Sequence, residues 1–351
     1  MVGHRRQHSG RVRYPDLYRD RATLMSTDQN FEDKLETWRL EAKHGGAVTG
    51  RGVDVAGGPI PKRPGYYGEA VVRPPVWTWE IPLYFFIGGA AGMAPLFACA
   101  GFFLGMLELA RAALWIAAAG AIISPILLVM DLGRPALFIN MLRVFKYQSP
   151  MSVGSWILSI FGAFTVPACL VFELYINQAF AGSVAPFVLV FAILLTIGSA
   201  IAGVGLATYT GVLIGATVIP AWFLHRVLLP IHFGTAGLGS AAAILELAGF
   251  HLRPLSLIGL AAAIVETLLW LWLEIDKHGA ADRALHEGGS GWLIRGGEIC
   301  TGPLAIVLRL TNLLPLAAIS FLLGAFLSRF GWISAGRISG KDPEAVFASQ
   351  R

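Results

Sequence analysis

Long apolar segments constrain this chain more than any other feature of its sequence. Seven of them are close to or above the roughly 20 residues that a helix needs to cross a bilayer. They are Pro82–Leu107, Ala112–Met130, Val153–Phe172, Val184–Ala221, Leu228–Leu247, Leu255–Leu273 and Leu313–Phe330. Because a backbone amide inside lipid must be hydrogen-bonded within its own segment, these segments are predicted to be helices. The sequence therefore predicts an all-α integral membrane protein.

Two segments depart from the usual length of a span. Gly302–Leu310 is apolar but shorter than a span needs, so the sequence predicts seven spans with this segment as a candidate eighth. Val184–Ala221 is about twice a minimal span, yet neither a charge nor a cluster of turn residues divides it. This favours one long helix that projects beyond the membrane. We expect about eight transmembrane helices in total.

Composition excludes several other classes of protein. Only 14% of the residues are charged, against roughly 25% in soluble domains. Cys99, Cys169 and Cys300 are far apart and form no CxxC pair, so neither a self-contained iron–sulfur site nor a c-type haem site is expected. The net charge of +5 comes from basic residues that flank the spans, and no nucleic-acid motif accompanies it.

The sequence divides into a polar N-terminal tail (1–76), a transmembrane domain (77–335) and a short C-terminal tail (336–351). The first tail contains no apolar core of a signal peptide, so we expect it to be retained. Its segment Asn30–His44 has the pattern of an amphipathic helix that lies on lipid or on a partner. The alternative is a disordered tail, and Met25 is a second candidate for the start of the chain.

The distribution of basic residues predicts the orientation of the spans. If successive spans run in opposite directions, most of the basic residues fall at the end of the bundle where the first span begins, which we call the inner end. They are Arg134, Arg143, Lys146, Arg226, Lys277, Arg283 and Arg295. The outer end collects Arg111, Arg253 and Arg309. The positive-inside rule makes the inner end cytoplasmic, so both termini are predicted to be cytoplasmic, in a cell or inner membrane.

Polar residues at the inner end are the first candidates for chemistry, because ionisable groups within spans are costly. Glu80 and Tyr84 are four residues apart on one face of the first helix. Together they offer a carboxylate and a phenol to a carbonyl or hydroxyl ligand. A quinone requires such a site, with apolar walls and a few polar groups that exchange protons. The alternatives are a carboxylate at a helix N-terminus for Glu80 and an aromatic-belt residue for Tyr84.

Four further residues are predicted near the same end: Asp131, Arg134, Tyr209 and His232. Asp131 and Arg134 can also be interpreted as a structural pair in the turn that ends the second helix. His232 lacks a facing histidine partner other than His225, so haem b is not expected.

Three glutamates lie deeper or toward the outer end: Glu173, Glu246 and Glu266. They are candidates for a proton path, and the alternative is that they are hydrogen-bonded packing residues.

Two stretches resemble the NrfD/polysulfide-reductase family of membrane subunits. They are WTWEIPLYFFIGGAAG at Trp77–Gly92 and DLGRPALFINMLRVFKYQSPMSVGSW at Asp131–Trp156. The similarity continues through YTGVLIGA at Tyr209–Ala216 and LPIHFGTAGLGSAAA at Leu229–Ala243, and then through GRISGKDPEAVF after the last span. The second stretch is the most specific, because its length, charges and turn residues are hard to obtain from membrane composition alone.

The resemblance implies a quinone-reactive subunit of two four-helix bundles, without haem or iron–sulfur clusters of its own. It implies a ferredoxin-like iron–sulfur partner on the loop Asp131–Met151, and a catalytic subunit that is often a molybdopterin enzyme. The quinone, menaquinone or ubiquinone, would lie beneath the iron–sulfur partner near Glu80, Tyr84 and Tyr209. Better-studied members have Asn and His in the first helix where this chain has Glu80 and Tyr84.

We therefore expect the membrane subunit of a respiratory oxidoreductase complex rather than an enzyme on its own. Two hypotheses from other classes stay open. A transporter or proton-conducting module would show broken helices and inverted repeats, and no internal repeat is evident. A pure membrane anchor would tolerate substitution of Tyr209 or Glu80 without loss of quinol-linked turnover.

Overall fold

The computed structural model describes residues 72, 74, 75, 77–132, 138–179, 182–276 and 278–349. All regular structure in these residues is helical, which confirms the predicted fold class. In chain order the helices are α1 (Glu80–Phe103), α2 (Leu107–Met130), α3 (Phe138–Arg143), α4 (Pro150–Ile176), α5 (Ala185–Gly215), α6 (Pro220–Phe223), α7 (Leu228–Leu247), α8 (Arg253–Ile275), α9 (Arg283–His286), α10 (Gly288–Thr301), α11 (Pro303–Leu310), α12 (Leu314–Ser339) and α13 (Pro343–Ala348). Single 3₁₀ turns lie at Gly182–Val184 and Gly279–Asp282. The predicted amphipathic helix in the N-terminal tail lies outside the described residues.

Seven of these helices are long and apolar enough to cross a membrane, namely α1, α2, α4, α5, α7, α8 and α12. The first four pack against one another as one bundle, which we call the first half. Helices α7, α8, α10 with α11, and α12 form a second bundle, the second half. This arrangement agrees with the two four-helix bundles that the resemblance implied.

The eighth span is a broken helix. Helices α10 and α11 are separated only by Gly302, whose φ of −98° and ψ of −103° interrupt the helical geometry. The pair runs antiparallel to α12, since Ser320 donates a hydrogen bond to the Cys300 carbonyl at 2.8 Å and the backbone of Gly297 packs against Ser328. At its far end Arg309 reaches Glu246, near the end of α7. The sequence predicted only Gly302–Leu310 of this span, because the preceding α10 is rich in glycine and carries Arg295 and Glu298.

The long fifth helix differs from its prediction at one end. Helix α5 ends at Gly215, six residues before the predicted Ala221. Ile219 has an extended backbone (φ −76°, ψ 125°) because a residue before proline avoids helical angles, and Pro220 then opens α6. The prediction of one uninterrupted span was correct, but its predicted extent was too long.

Close contacts between glycines join the helices. A Cβ at Gly203 would lie 2.0 Å from the Gly92 carbonyl oxygen, so α1 and α5 touch backbone to backbone. A Cβ at Gly237 would lie 2.8 Å from the Gly89 carbonyl oxygen, so α7 of the second half also packs against the backbone of α1. Small residues permit such contacts between membrane helices. Helix α1 therefore joins the two halves, together with α5, whose Gly211 packs on the backbone of Leu229 in α7.

Both ends of the helical domain lie at the same end of the spans. A Cβ at Gly340, after α12, would lie 3.4 Å from Pro74, which precedes α1. This is the inner end defined from the sequence. It carries the described basic residues Arg143, Lys146, Arg226 and Arg283, while Arg295 lies in the middle of α10.

Candidate functional site

A cleft of about 400 Å³ opens at the inner end of the first half. This volume is within the range of small-molecule sites. Its walls come from the residues ahead of α1 (Val72, Pro75, Trp77), the start of α4 (Ser149, Pro150, Met151), and the end of α5 with the turn after it (Leu213, Ala216, Thr217, Val218, Ile219). The lining is mostly apolar, and Ser149 and Thr217 supply its hydroxyl groups.

Tyr209 lies one helical turn deeper than the cleft. It precedes Leu213 by four residues on α5, and its ring packs on Gly154, which follows Pro150 by four residues on α4. A Cβ at Gly154 would lie 2.1 Å from the Tyr209 ring, so glycine is required for this contact. The Tyr209 hydroxyl is buried beside the Gly154 backbone and makes no hydrogen bond of normal geometry with the described residues. An unsatisfied buried hydroxyl is costly, which makes it a candidate ligand-binding group.

Tyr84 belongs to the same region of the first half. Its side chain is 4% exposed, and its ring flanks Gly88 on α1. The hydroxyl of Ser124 from α2 lies next to the same position of Gly88, and it is also buried without a hydrogen-bond partner among the described residues. Tyr84 and Tyr209 lie close enough to interact electrostatically. The structure thus brings together two of the predicted residues and adds Ser124.

Glu80 and Asp131 meet at the entrance to α1. Asp131, just after α2, accepts hydrogen bonds from the Thr78 backbone amide at 3.2 Å and from the Thr78 hydroxyl at 3.1 Å. The Thr78 hydroxyl also contacts the Glu80 carboxylate. Asp131 therefore ties the end of α2 to the start of α1. Arg134, the predicted partner of Asp131, lies outside the described residues.

Two stacked tryptophans close the cleft toward the second half. The rings of Trp77 and Trp222 are 5.5 Å apart and nearly parallel. Trp222 is fully buried, donates a hydrogen bond to the Trp332 carbonyl at 2.8 Å, and packs on Gly336 of α12. The segment ahead of α1 is thus fixed to the last span of the second half.

The structure does not bring His232 to the cleft. Its Nδ1 lies 2.6 Å from Oε2 of Glu266, and its Nε2 lies 2.8 Å from the hydroxyl of Ser328. Ser328 in turn donates a hydrogen bond to Oε1 of Glu298 at 3.1 Å. Arg329 lies beside this group, with one donated bond to the Phe233 carbonyl and its guanidinium over the Phe233 ring. We use the name buried cluster for five of these residues, each at most 3% exposed: His232, Glu266, Glu298, Ser328 and Arg329.

The sequence analysis missed Glu298, Ser328 and Arg329. Glu298 lies in α10, which was not recognised as part of a span. Arg329 had a clear signal, since it is an arginine inside the predicted span Leu313–Phe330. A charge at such a position is expected to face a partner in the bundle interior.

Glu173 and Glu246 each pair with an arginine near the outer end. Arg111 donates two hydrogen bonds to Glu173, at 2.7 and 2.8 Å, in the first half. Arg309 makes the same two contacts with Glu246, at 2.7 and 2.8 Å, in the second. The three glutamates predicted as a proton path are therefore in three separate environments.

A second polar group lies at the inner end, outside the spans. His278 donates from its backbone amide to Asp282 at 2.7 Å, and the buried His225 lies 3.8 Å from the same carboxylate. Burial lowers the pKa of His225, although the nearby Asp282 opposes the shift. His225 is therefore neutral near pH 7. The Trp332 ring lies between the two histidines, with its centroid 5.8 Å from the His225 ring and 6.3 Å from the His232 ring.

A family model described as "Polysulphide reductase, NrfD" matches residues 70–337. The chain belongs to the NrfD family. The match runs from the residues ahead of α1 to nearly the end of α12 and includes Tyr84 and Tyr209, so the predicted membership is confirmed. Members are multi-pass membrane subunits of quinone-linked oxidoreductase complexes. The comparison with curated protein sequences gave no match.

Proposed function

We propose that this NrfD-family protein binds a quinone headgroup in the cleft above Tyr209 and serves as the quinone-reactive subunit of its complex. The observation that carries the proposal is the buried, unpartnered Tyr209 hydroxyl one turn beneath an apolar cleft of about 400 Å³. A quinone has apolar substituents for such walls and carbonyl oxygens that accept hydrogen bonds from hydroxyl groups.

Tyr209 donates its hydroxyl hydrogen to a ligand oxygen, and the ring is held in place by Gly154. Tyr84 and Ser124 supply two further hydroxyl groups in the first half, which orient the ligand or hold a proton. Glu80 and Asp131 connect the site with water at the inner end through Thr78, whose backbone amide donates to Asp131 and whose hydroxyl contacts Glu80. When bound, the quinone supplies two-electron, two-proton redox chemistry.

An iron–sulfur partner subunit is proposed to cover the inner end beside the cleft. Several large apolar side chains are exposed there, on α3 and the loop that leads to α4. Ile139 is 74% exposed, Tyr147 75%, and Val144 and Phe145 more than half. Exposed apolar patches outside a membrane mark protein interfaces. The patch continues into the cleft through Met151, so a partner seated on it would reach the bound quinone.

Substitution of Tyr209 tests the site in the intact complex. Tyr209→Phe removes one hydroxyl that makes no hydrogen bond within the protein, so assembly is expected to be unchanged. Quinol-linked turnover is expected to fall by at least about tenfold, because the loss of a positioned proton-transferring group usually lowers the rate by more than this. Tyr175→Phe, near the outer end of α4, is the matched control and should retain turnover. Wild-type turnover in assembled Tyr209→Phe complex would favour a pure membrane anchor.

The partner surface and the orientation have tests of their own. Ile139→Asp should release the iron–sulfur subunit from the purified complex, whereas Ile201→Asp should impair membrane insertion instead, since Ile201 is exposed within α5. For orientation, a cysteine at Tyr147 should react with an impermeant reagent from the cytoplasmic side. A cysteine at His251, in the loop between α7 and α8, should react from the opposite side.

A further inference from the structure

The buried cluster carries unbalanced charge. It contains two carboxylates, Glu266 and Glu298, and one guanidinium, Arg329, which interacts electrostatically with both. Arginine stays charged in proteins. With both glutamates ionised and His232 neutral, the cluster would therefore carry one net negative charge. An uncompensated charge is strongly disfavoured in a protein interior.

Among the described residues, the charged groups that flank the cluster have other partners. On the inner side Arg295, three residues before Glu298 on α10, pairs with Glu274 at 3.5 Å, and the Trp332 ring lies between His225 and the cluster. On the outer side the ion pair Glu246–Arg309 is already balanced, and Glu246 follows His232 by about 21 Å along α7. Between them Gly239 of α7 packs directly on the Phe321 ring. The charge count is thus complete within the five residues of the cluster.

The hydrogen bonds of the cluster also require one additional proton. Three short contacts join Glu266 to His232, His232 to Ser328, and Ser328 to Glu298, at 2.6, 2.8 and 3.1 Å. Each contact needs one hydrogen. A neutral imidazole supplies one and the serine hydroxyl supplies one, so two ionised glutamates leave one of the three contacts without a hydrogen. One added proton completes the chain and also neutralises the cluster.

We propose that the buried cluster is a proton-binding site that holds one proton along the chain Glu266–His232–Ser328–Glu298. The proton has three equivalent placements: on Glu266, on His232 as imidazolium, or on Glu298. A shift of the three hydrogens along their bonds interconverts the placements without any change in heavy-atom positions. This chain lets a proton move between α8 and α10, on either side of α7 and α12.

A metal ion would be the other way to balance the charge. Ligand atoms of His232, Glu266 and Glu298 lie within 4.8 Å of one another. The buried guanidinium of Arg329 next to them disfavours a divalent cation, because a divalent ion would leave the cluster with a net positive charge. A proton balances the cluster, and its site is separate from the Tyr209 cleft. The proposal is therefore independent of quinone binding.

Labelling with dicyclohexylcarbodiimide tests the proposal on the purified protein in detergent. This apolar reagent modifies protonated carboxyl groups and spares ionised ones. We expect an adduct on Glu266 or Glu298 at neutral pH. Glu246 is the internal control, since it is similarly buried but has its own counter-charge in Arg309, which donates two hydrogen bonds to it. At least tenfold less labelling is expected there. Equal labelling of Glu246 would overturn the proposal.

Substitution of one glutamate gives the sharper result, because it removes the need for the proton. Glu298→Gln leaves one carboxylate and one guanidinium, so labelling of Glu266 is expected to disappear, and Glu266→Gln should protect Glu298 in the same way. Two carboxyls that are protonated independently by burial would leave each label unaffected by the other substitution, which would contradict the shared proton. If one variant does not fold, the reciprocal variant gives the same comparison.

Infrared spectroscopy provides a readout that does not depend on access of the reagent. The wild-type protein at neutral pH should show a carbonyl stretch of a protonated carboxylic acid that shifts in D₂O, and either Gln variant should lack it. Absence of the band from the wild type, with no increase of imidazolium signal, would overturn the proposal. So would a stoichiometric metal in the purified protein that is lost from Glu266→Gln.

Discussion

The two halves of this protein place the same ion pair in different surroundings. Arg111–Glu173 in the first half and Arg309–Glu246 in the second have matching bidentate distances of 2.7 and 2.8 Å. The first pair is partly exposed, with side-chain exposures of 36% and 16%, and the second is buried at 2% each. Contact distance alone therefore says little about what a pair contributes, and burial decides it.

The same contrast holds for the functional groups. The first half places uncharged hydroxyls, those of Tyr84, Ser124 and Tyr209, beneath an accessible apolar cleft. The second half encloses charged groups that are almost fully buried among the described residues. A neutral ligand of low polarity suits the first arrangement, and proton storage suits the second.

The largest effect is expected from breaking the buried pair. Glu246→Gln leaves the Arg309 guanidinium buried without a counter-charge, which should lower the free energy of unfolding by about 3–5 kcal/mol. Equilibrium unfolding in mixed micelles measures the loss. The double variant Glu246→Met with Arg309→Met should recover part of it, because no charge then stays unpaired. An unchanged stability in Glu246→Gln would show that water reaches Arg309, and it would contradict the claim that the two ion pairs differ in burial.

A smaller effect is expected from the packing of helix α1 against α5. Gly203→Ala would bring a methyl group to 2.0 Å from the Gly92 carbonyl oxygen, so the helices must separate, at about 1–3 kcal/mol. Gly297→Ala in the second half meets its nearest atoms at 2.9 Å and should cost less. The same unfolding assay ranks the two. Gly162→Ala, where the added methyl group meets nothing within 4 Å, is the control and should keep wild-type stability.

The smallest effect is expected at the exposed pair. Glu173→Gln removes one partner of Arg111, but water can solvate the freed guanidinium and the new amide still accepts a hydrogen bond. Its stability should therefore stay close to wild type in the assay that reports a large loss for Glu246→Gln. Equal losses in the two variants would mean that the lipid or a partner covers Arg111 as fully as the protein covers Arg309.

Much of the fold could be predicted from the sequence, because membrane-spanning segments are recognisable by their length and hydropathy. Seven spans were found in this way. The eighth was only partly found, since Gly302 divides it and its first part, α10, contains Arg295 and Glu298. A broken helix is stable only when its neighbours satisfy it, and those neighbours are not visible in the local sequence.

The candidate site could be predicted only as a set of residues at one end of the spans. The structure places Tyr84 and Tyr209 together in the first half but puts His232 in the second. All three were assigned to the inner end from their positions along the helices, and helix position gives depth without giving the bundle that a side chain faces. The pairing of His232 with Glu266 and Ser328 depends on residues 34 and 96 positions away, so only the packed helices reveal it.

Photolabelling with an azidoquinone tests the central claim most directly. Irradiation of the intact complex with the labelled quinone, followed by peptide mapping, should place the adducts at Ser149–Met151 and at Leu213–Ile219. An excess of unlabelled quinone should remove these adducts. Adducts that are confined to helices α7, α8 and α12, or that persist in the presence of competitor, would contradict a quinone site in the cleft above Tyr209.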